Sequence, residues 1–243
     1  LDSKTLSAVE TRLYWRHPQR GLLTGKDIYP ATDQHPELGR ALLELLVGQG
    51  SKFVDETLQK RYPSAQLIVP LTRQQIIESE PLSVIDWAIS NADLSLDRLV
   101  VSVEATHVLR DPAAATDFVR NVRAMGLAAQ LDGYRQLSPG QLRALEVSSV
   151  SADFQGVASG ETARQQVKDA IEAAQELRLP ITAKHARSEV AQALVARMGC
   201  SFEAVGESLT ERAFIASYVD HSIEGAPTPP TDPELELPTE QVA

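Results

Sequence analysis

Seven runs rich in apolar and β-branched residues recur along this chain, each followed by a stretch with helical spacing, and this alternation restricts the architecture more than any other feature. The strand candidates span residues 7–15, 65–72, 98–105, 127–134, 148–154, 180–186 and 201–206. The helical signal is clearest in GETARQQVKDAIEAAQELR, where Val167, Ala170, Ile171, Ala174 and Leu177 fall on one face and Ser159 or Thr162 is placed to cap the start. Pro180 ends that crossover. Strand–helix repeats with short connections call for right-handed crossovers and a parallel sheet. Eight such units close into a TIM-like (β/α) barrel with its functional residues at the strand C-termini. Because an open parallel sheet leaves unpaired edges, seven units imply an α/β barrel whose first strand is missing from this chain.

Composition narrows the function classes. At 243 residues and 43% hydrophobic, the chain buries one substantial core, and barrels of this size are single domains. The net charge of −10 repels nucleic acid and anionic membranes, so neither is an expected partner. One cysteine, Cys200, excludes an intramolecular disulfide and a multi-thiolate metal site, which fits a reducing, cytoplasmic compartment. No apolar run approaches the roughly 20 residues that span a bilayer, so no membrane insertion of this chain is expected. With Leu1 in first place, the sequence reads as a piece of a longer polypeptide. Residues 1–222 are expected to form the barrel and 223–243 a flexible extension. The stretch GAPTPPTDPELELPTEQVA carries five prolines and four acids, with neither Lys nor Arg and no periodic apolar face.

The run ETRLYWRHPQRGLL resembles the EALLRWRHPERGLL entry of the EAL domain, the family that hydrolyses cyclic di-GMP. PELGRALLELL is similar to the helix that follows there, FVRNVRAMGLAAQLDGY to LRRLRALGVRLALDDFG, and ALVARMGC to LLRELGC. The order and spacing of these matches over seven β/α units make the set specific. LDSKTL resembles the loop after the family's first strand, which accounts for the seven-fold count.

The resemblance implies a strict chemistry. Members hold two divalent metals with carboxylates and an Asn at strand ends, while a Lys and an Arg steady the phosphates. Here Glu10 matches the motif Glu, but Thr11 and Arg12 follow it, and Tyr14 stands at the phosphate-binding Arg. Pro70 takes the place of the metal-binding Asn; Ser102 and Ala105 replace two acids. Glu104 falls one place before Ala105, on the opposite side of a strand. Asp132 is kept, Gly133 replaces the second Asp, and two residues are missing from the loop beyond. Ser151 replaces the catalytic Lys, Asp153 remains, Lys184 stands at a catalytic Glu and Arg187 at another acid. These positions read as a vestigial site with no catalytic residue, metal or cofactor.

The retained carboxylates Glu10, Asp132 and Asp153 are expected to pair with Lys184, Arg12 or water. His107 and His185 lack the partners a zinc site needs and read as loop residues. Trp15 and Trp87 are expected in core or rim packing, and RHPQRG as a solvated loop. The function this implies is a catalytically inactive EAL-like regulatory or interaction module of a bacterial cyclic di-GMP signalling protein. Its expected partner is another protein, met on helices 161–178 or 188–198, or the upstream domains of the same polypeptide. An alternative is a receptor that binds cyclic di-GMP uncut, with Arg12, Lys184 and Arg187 on the phosphates; Tyr14 weighs against it. A third is an active phosphodiesterase, or an unrelated barrel enzyme using Asp132, Asp153 and Lys184 for proton transfer.

Overall fold

A computed structural model describes residues 6–32, 34–77, 80–91, 94–134 and 137–203, all within the first of two units, Leu1–Gly206. Nine strands appear among them: β1 (Ala8–Glu10), β2 (Tyr14–His17), β3 (Gly21–Thr24), β4 (Gln66–Leu71), β5 (Leu99–Glu104), β6 (Ala128–Asp132), β7 (Ser149–Asp153), β8 (Ile181–Lys184) and β9 (Phe202–Glu203). The α-helices described are α1 (Gly25–Thr32), α2 (Pro36–Phe53), α3 (Arg73–Ile77), α4 (Glu80–Asn91), α5 (Ala105–Arg110), α6 (Pro112–Ala124), α7 (Pro139–Leu145), α8 (Glu161–Glu176) and α9 (Glu189–Met198), with a π-helical turn at Val54–Leu58 and a 3-10 turn at Leu96–Arg98. Seven of the strands form one all-parallel sheet in the order β1-β4-β5-β6-β7-β8-β9, as the alternation of runs requires.

The two faces of this sheet do different work. Leu67 lies under α2, where Gly50 lets the helix approach so closely that a Cβ there would stand 2.8 Å from the Leu67 side chain. Leu67, Val69, Leu99, Val101, Ala129, Leu131, Val150, Ala152, Ile181 and Ala183 share that helix-facing alternation and are all buried. The other alternation carries Glu10, Ile68, Pro70, Ser102, Glu104, Gln130, Asp132, Ser151, Asp153, Thr182 and Lys184. Polar residues are thereby gathered on the inward face.

Local chemistry sets several boundaries. Ser138 caps α7 in a reciprocal pair with Gln141, behind Pro139 in the first turn. Ser188 caps α9, which Gly199 ends in the left-handed region at φ 66°. The α8 stripe matches its sequence: Val167, Ala170, Ile171 and Ala174 are buried. Its cap differs from expectation. Gly160 holds that position, because Ser159 turns its hydroxyl to the Gly156 carbonyl and Thr162 already lies inside the helix.

The 7–15 run is two strands, not one. β1 ends at Glu10, and the chain re-enters as the antiparallel hairpin β2–β3, closed by Gly21 at φ 74° with His17 Nδ1 accepting from the Gln19 and Arg20 amides. RHPQRG is therefore the second half of β2, the turn and the first residue of β3, and strand pairing of Arg16 with Leu22 and His17 with Gly21 satisfies its backbone. Trp15 and Trp87 are not core: they are 50% and 57% exposed, one on the hairpin and one on the outer face of α4. Residues 204–206 of the last expected strand, and the 223–243 extension, lie outside the described residues.

Candidate functional site

Three non-neighbouring strands meet in one ionic cluster at the inner mouth. Lys184, at the end of β8, places Nζ 2.6 Å from Glu10 Oε2 at the end of β1 and 2.9 Å from Asp132 Oδ1 at the end of β6. Five strand spacings separate β1 from β8 in the sheet order, roughly 24 Å if the sheet were flat. The sheet therefore curls until its first and sixth strands face each other.

Neighbouring groups fix the cluster. Ser151, one strand over on β7, donates its hydroxyl to Asp132 Oδ1 and accepts from the Gly133 amide at 3.1 Å. Gly133 adopts φ 68°, which points that amide back at the serine. Burial pushes the Asp132 carboxyl up, but the Lys184 ammonium, the Ser151 hydroxyl and the Gly133 amide together outweigh it and hold the group below its ordinary 3.8. Burial likewise opposes charge on Lys184, and Asp132 and Glu10 overcome it, raising the amine above 10.5. Both partners stay ionised across the neutral range. Arg12 Nε adds a longer contact, 3.5 Å to Glu10 Oε1, from a half-exposed position where screening leaves it little weight.

A second pair lies beside the first. His185 Nδ1 sits 2.9 Å from Asp153 Oδ1, and the same oxygen accepts from the Gln155 amide at 2.9 Å. His185 adopts φ 58°, unusual for a residue with a Cβ, so the β8 terminus carries backbone strain just where its side chains enter the mouth.

The remaining sequence candidates separate. Ser102 is buried on the inner face of β5 and Pro70 sits beside it on β4. Gln66 donates to Ser7 on the β1 side, so the nitrogen of Pro70, four residues on, faces the same side past the end of β1. The missing N–H thus costs no ladder bond. Ala105 is not on the strand: β5 ends at Glu104, and Ala105 is buried as the first residue of α5. Glu104 shares the inward alternation with Ser102, yet its carboxylate turns to Thr106 Oγ1 at 2.7 Å and His107 Nε2 at 3.7 Å. Tyr14 is 41% exposed on the hairpin, and Arg187 is exposed past β8.

Two residues of this region escaped the sequence reading. Gln130 is buried on the inner face, two positions before Asp132, with no partner for Oε1 among the described residues; a lone amide inside the apolar run LAAQL was the available signal. Tyr29 on α1 is held above its ordinary 10.0 by burial and then by the Glu10 charge, a proximity no local pattern encodes. Among the described residues no three His, Cys, Asp or Glu side chains converge to hold a metal ion.

A curled parallel β/α sheet with its polar residues gathered at the strand ends defines a TIM-like barrel protein. The EAL domain profile matches residues 1–203, and the chain belongs to the EAL domain family. A curated relative, the bifunctional diguanylate cyclase/cyclic di-GMP phosphodiesterase MucR of Pseudomonas aeruginosa, is 24% identical over 207 residues, covering 79% of this chain and 29% of the relative. The chain thus spans under a third of that protein's length. Among solved structures, the PaMucR phosphodiesterase in its c-di-GMP complex superposes with a TM-score of 0.71 at 22% identity, covering 81% of this chain and 83% of that one. The FimX EAL domain from Pseudomonas aeruginosa bound to c-di-GMP gives 0.69 at 15% identity, covering 83% and 82%. No described helix is long and apolar enough to cross a membrane.

Proposed function

We propose that this EAL domain does not hydrolyse cyclic di-GMP and serves as a regulatory or protein-interaction module in a bacterial cyclic di-GMP signalling protein. The observation that carries the reading is the Lys184 ammonium lodged between Glu10 and Asp132. A Mg²⁺ ion asks for about six oxygens, and a fixed positive charge among the few available ones repels it. The family's metal chemistry does not fit the other residues either. Pro70, Ala105 and Gly133 bring no side-chain oxygen, Ser102 and Ser151 bring hydroxyls, and the Ser151 hydroxyl is committed to Asp132. The absent Lys at 151 and Arg at 14 remove the phosphate contacts as well.

In this reading the work is done by the outside of the barrel. The partner is another protein or a further domain of the same cytoplasmic polypeptide. The helix α8 offers a charged surface for it, lined by Glu161, Arg164, Lys168 and Glu172.

Exposed Arg187 and half-exposed Arg12 favour a second reading, a receptor that holds cyclic di-GMP uncut; the solved PaMucR and FimX relatives carry bound c-di-GMP. Hydrolysis with Mg²⁺ or Mn²⁺, followed by calorimetry with the nucleotide in the presence and absence of metal, separates the readings. The expected result is background turnover and no binding heat. Metal-dependent turnover overturns the proposal, and heat without turnover establishes the receptor.

A further inference from the structure

The inner mouth holds a positive ion supplied by the chain itself. Lys184 is only 8% exposed, and its ammonium makes hydrogen bonds of 2.6 and 2.9 Å to carboxylates from two other strands. These are the lengths of N–H donors on oxygen, well beyond the roughly 2.1 Å of Mg²⁺–oxygen bonds. The serine and glycine around Asp132 aim that carboxylate, through a hydroxyl and an amide that belong to other positions of the backbone. Gln130 Oε1, on the same inward face two residues below Asp132 and in a side chain 3% exposed, has no donor among the described residues even with the Lys184 ammonium in place, so the ammonium is held by the two carboxylates and not by this amide.

We propose that Glu10 and Asp132 form a binding site for a primary ammonium ion, and that Lys184 fills it from within the chain. The tethered ammonium is the clasp between the first strand and the far side of the sheet. Lys184 reaches the site along a buried four-carbon stem, so shortening the side chain leaves a slot of that shape with two carboxylates at its end. That slot suits a small alkylammonium, which offers the same three donors and the same hydrocarbon. A divalent ion finds two carboxylates too few, and a quaternary ammonium has no N–H to give. The inference rests on the reading that the mouth performs no catalysis, but its test does not use turnover.

The test is chemical rescue of Lys184→Ala by propylammonium chloride, read as melting temperature. The variant is expected to melt roughly 5–10 °C below the parent, because two partly buried carboxylates lose their counter-charge. Propylammonium is expected to raise that value by about 3–5 °C per tenfold increase above its dissociation constant and to leave the parent unchanged. Sodium and tetramethylammonium chlorides at equal ionic strength are expected to do neither. Equal rescue by all three salts reports screening alone and overturns the proposal, as does rescue by none; selective rescue by Mn²⁺ overturns the preference for ammonium. If Lys184→Ala does not fold, Glu10→Gln/Lys184→Ala, with one uncompensated charge fewer, takes its place under the same three salts. Acetylation of the parent supplies an independent measurement: Lys184 should react at least tenfold more slowly than Lys26, Lys52 and Lys168, and Asp132→Asn should abolish that protection. Lys184 reacting as fast as those lysines overturns the proposal whatever the rescue shows. Metal-dependent turnover of the parent protein would instead sink the functional reading while leaving these outcomes to be judged by themselves.

Discussion

Lys184 Nζ lies 2.6 Å from Glu10 Oε2 although the two residues are 174 positions apart and stand on strands five places from each other in the sheet. That contact ties the first strand to the far side of the curl. Both groups are largely removed from water, so each has given up hydration that the cluster of Lys184, Glu10 and Asp132 mostly returns.

Removing one member should therefore cost more than removing all three. Lys184→Met leaves two carboxylates facing each other and should lower stability by about 2–4 kcal/mol. The neutral triple variant Glu10→Gln/Asp132→Asn/Lys184→Met should recover most of that loss, because no uncompensated charge remains. Urea unfolding of the two variants checks this; a triple variant no more stable than the single one would show that the cluster is not electrostatically coupled.

The same cluster sets a pH profile. Asp132 is held below 3.8, so its contribution is complete above that value and is lost as pH falls through the lower folded-state value. Lys184 is raised above 10.5, so its contribution is complete below 10.5 and is lost as pH rises through the higher folded-state value. Stability contributed by these groups should thus be flat between about pH 5 and 10. In Lys184→Met the sign at the acid end reverses, because Asp132 without its counter-charge takes up a proton more readily when folded than unfolded. Unfolding free energies from pH 5 to 7 should fall with rising pH in that variant relative to the parent.

Much of the fold was legible because its signal is local and repeated. Every strand of the sheet falls within one of the seven apolar runs, and four of the buried residues of α8, Val167, Ala170, Ile171 and Ala174, were read from helical spacing alone, while Leu177 caps the helix half-buried. The 7–15 run was misjudged because no Gly, Pro, Asn or Asp separates β1 from β2, and only the pairing of Tyr14 with Thr24 reveals a separate hairpin. At the site, a sequence gives the identity of Glu10, Asp132, Ser151 and Lys184 and the resemblance orders them. Which carboxylate the ammonium meets depends on curl and register. Asp153 sits level with Lys184 on the adjoining strand, yet the lysine passes it by for Asp132 and leaves it to His185.

Ser151 should matter to stability through two bonds at once. Ser151→Ala deprives Asp132 of a hydroxyl donor and the Gly133 amide of its acceptor, a loss of about 1–3 kcal/mol with the fold retained. Ser151→Cys keeps a weak donor and should fall between. Thermal unfolding of both, with circular dichroism to confirm the fold, checks the order.

Two glycines make opposite demands. At Gly133 an added Cβ meets nothing within 4 Å, so only its φ of 68° resists substitution. Gly133→Ala should cost about 1 kcal/mol, and Gly133→Asn less, because Asn tolerates the left-handed region. Gly50 lies inside α2 with ordinary helical backbone, where alanine would normally gain about 0.5–1 kcal/mol. Its new Cβ, however, would stand 2.8 Å and 2.9 Å from the two Leu67 methyls and 3.0 Å from the Thr11 methyl. Leu67 is 1% exposed and has no space into which to turn. Overpacking of this kind costs about 1–3 kcal/mol, so the helix must shift off β4 and Gly50→Ala should be net destabilising. Paired urea unfolding of Gly50→Ala and Gly48→Ala decides it, since Gly48 is in the same helix with nothing within 4 Å of its Cβ. The first should lose stability and the second gain it; a gain at both positions would mean that α2 does not rest on Leu67 as closely as described.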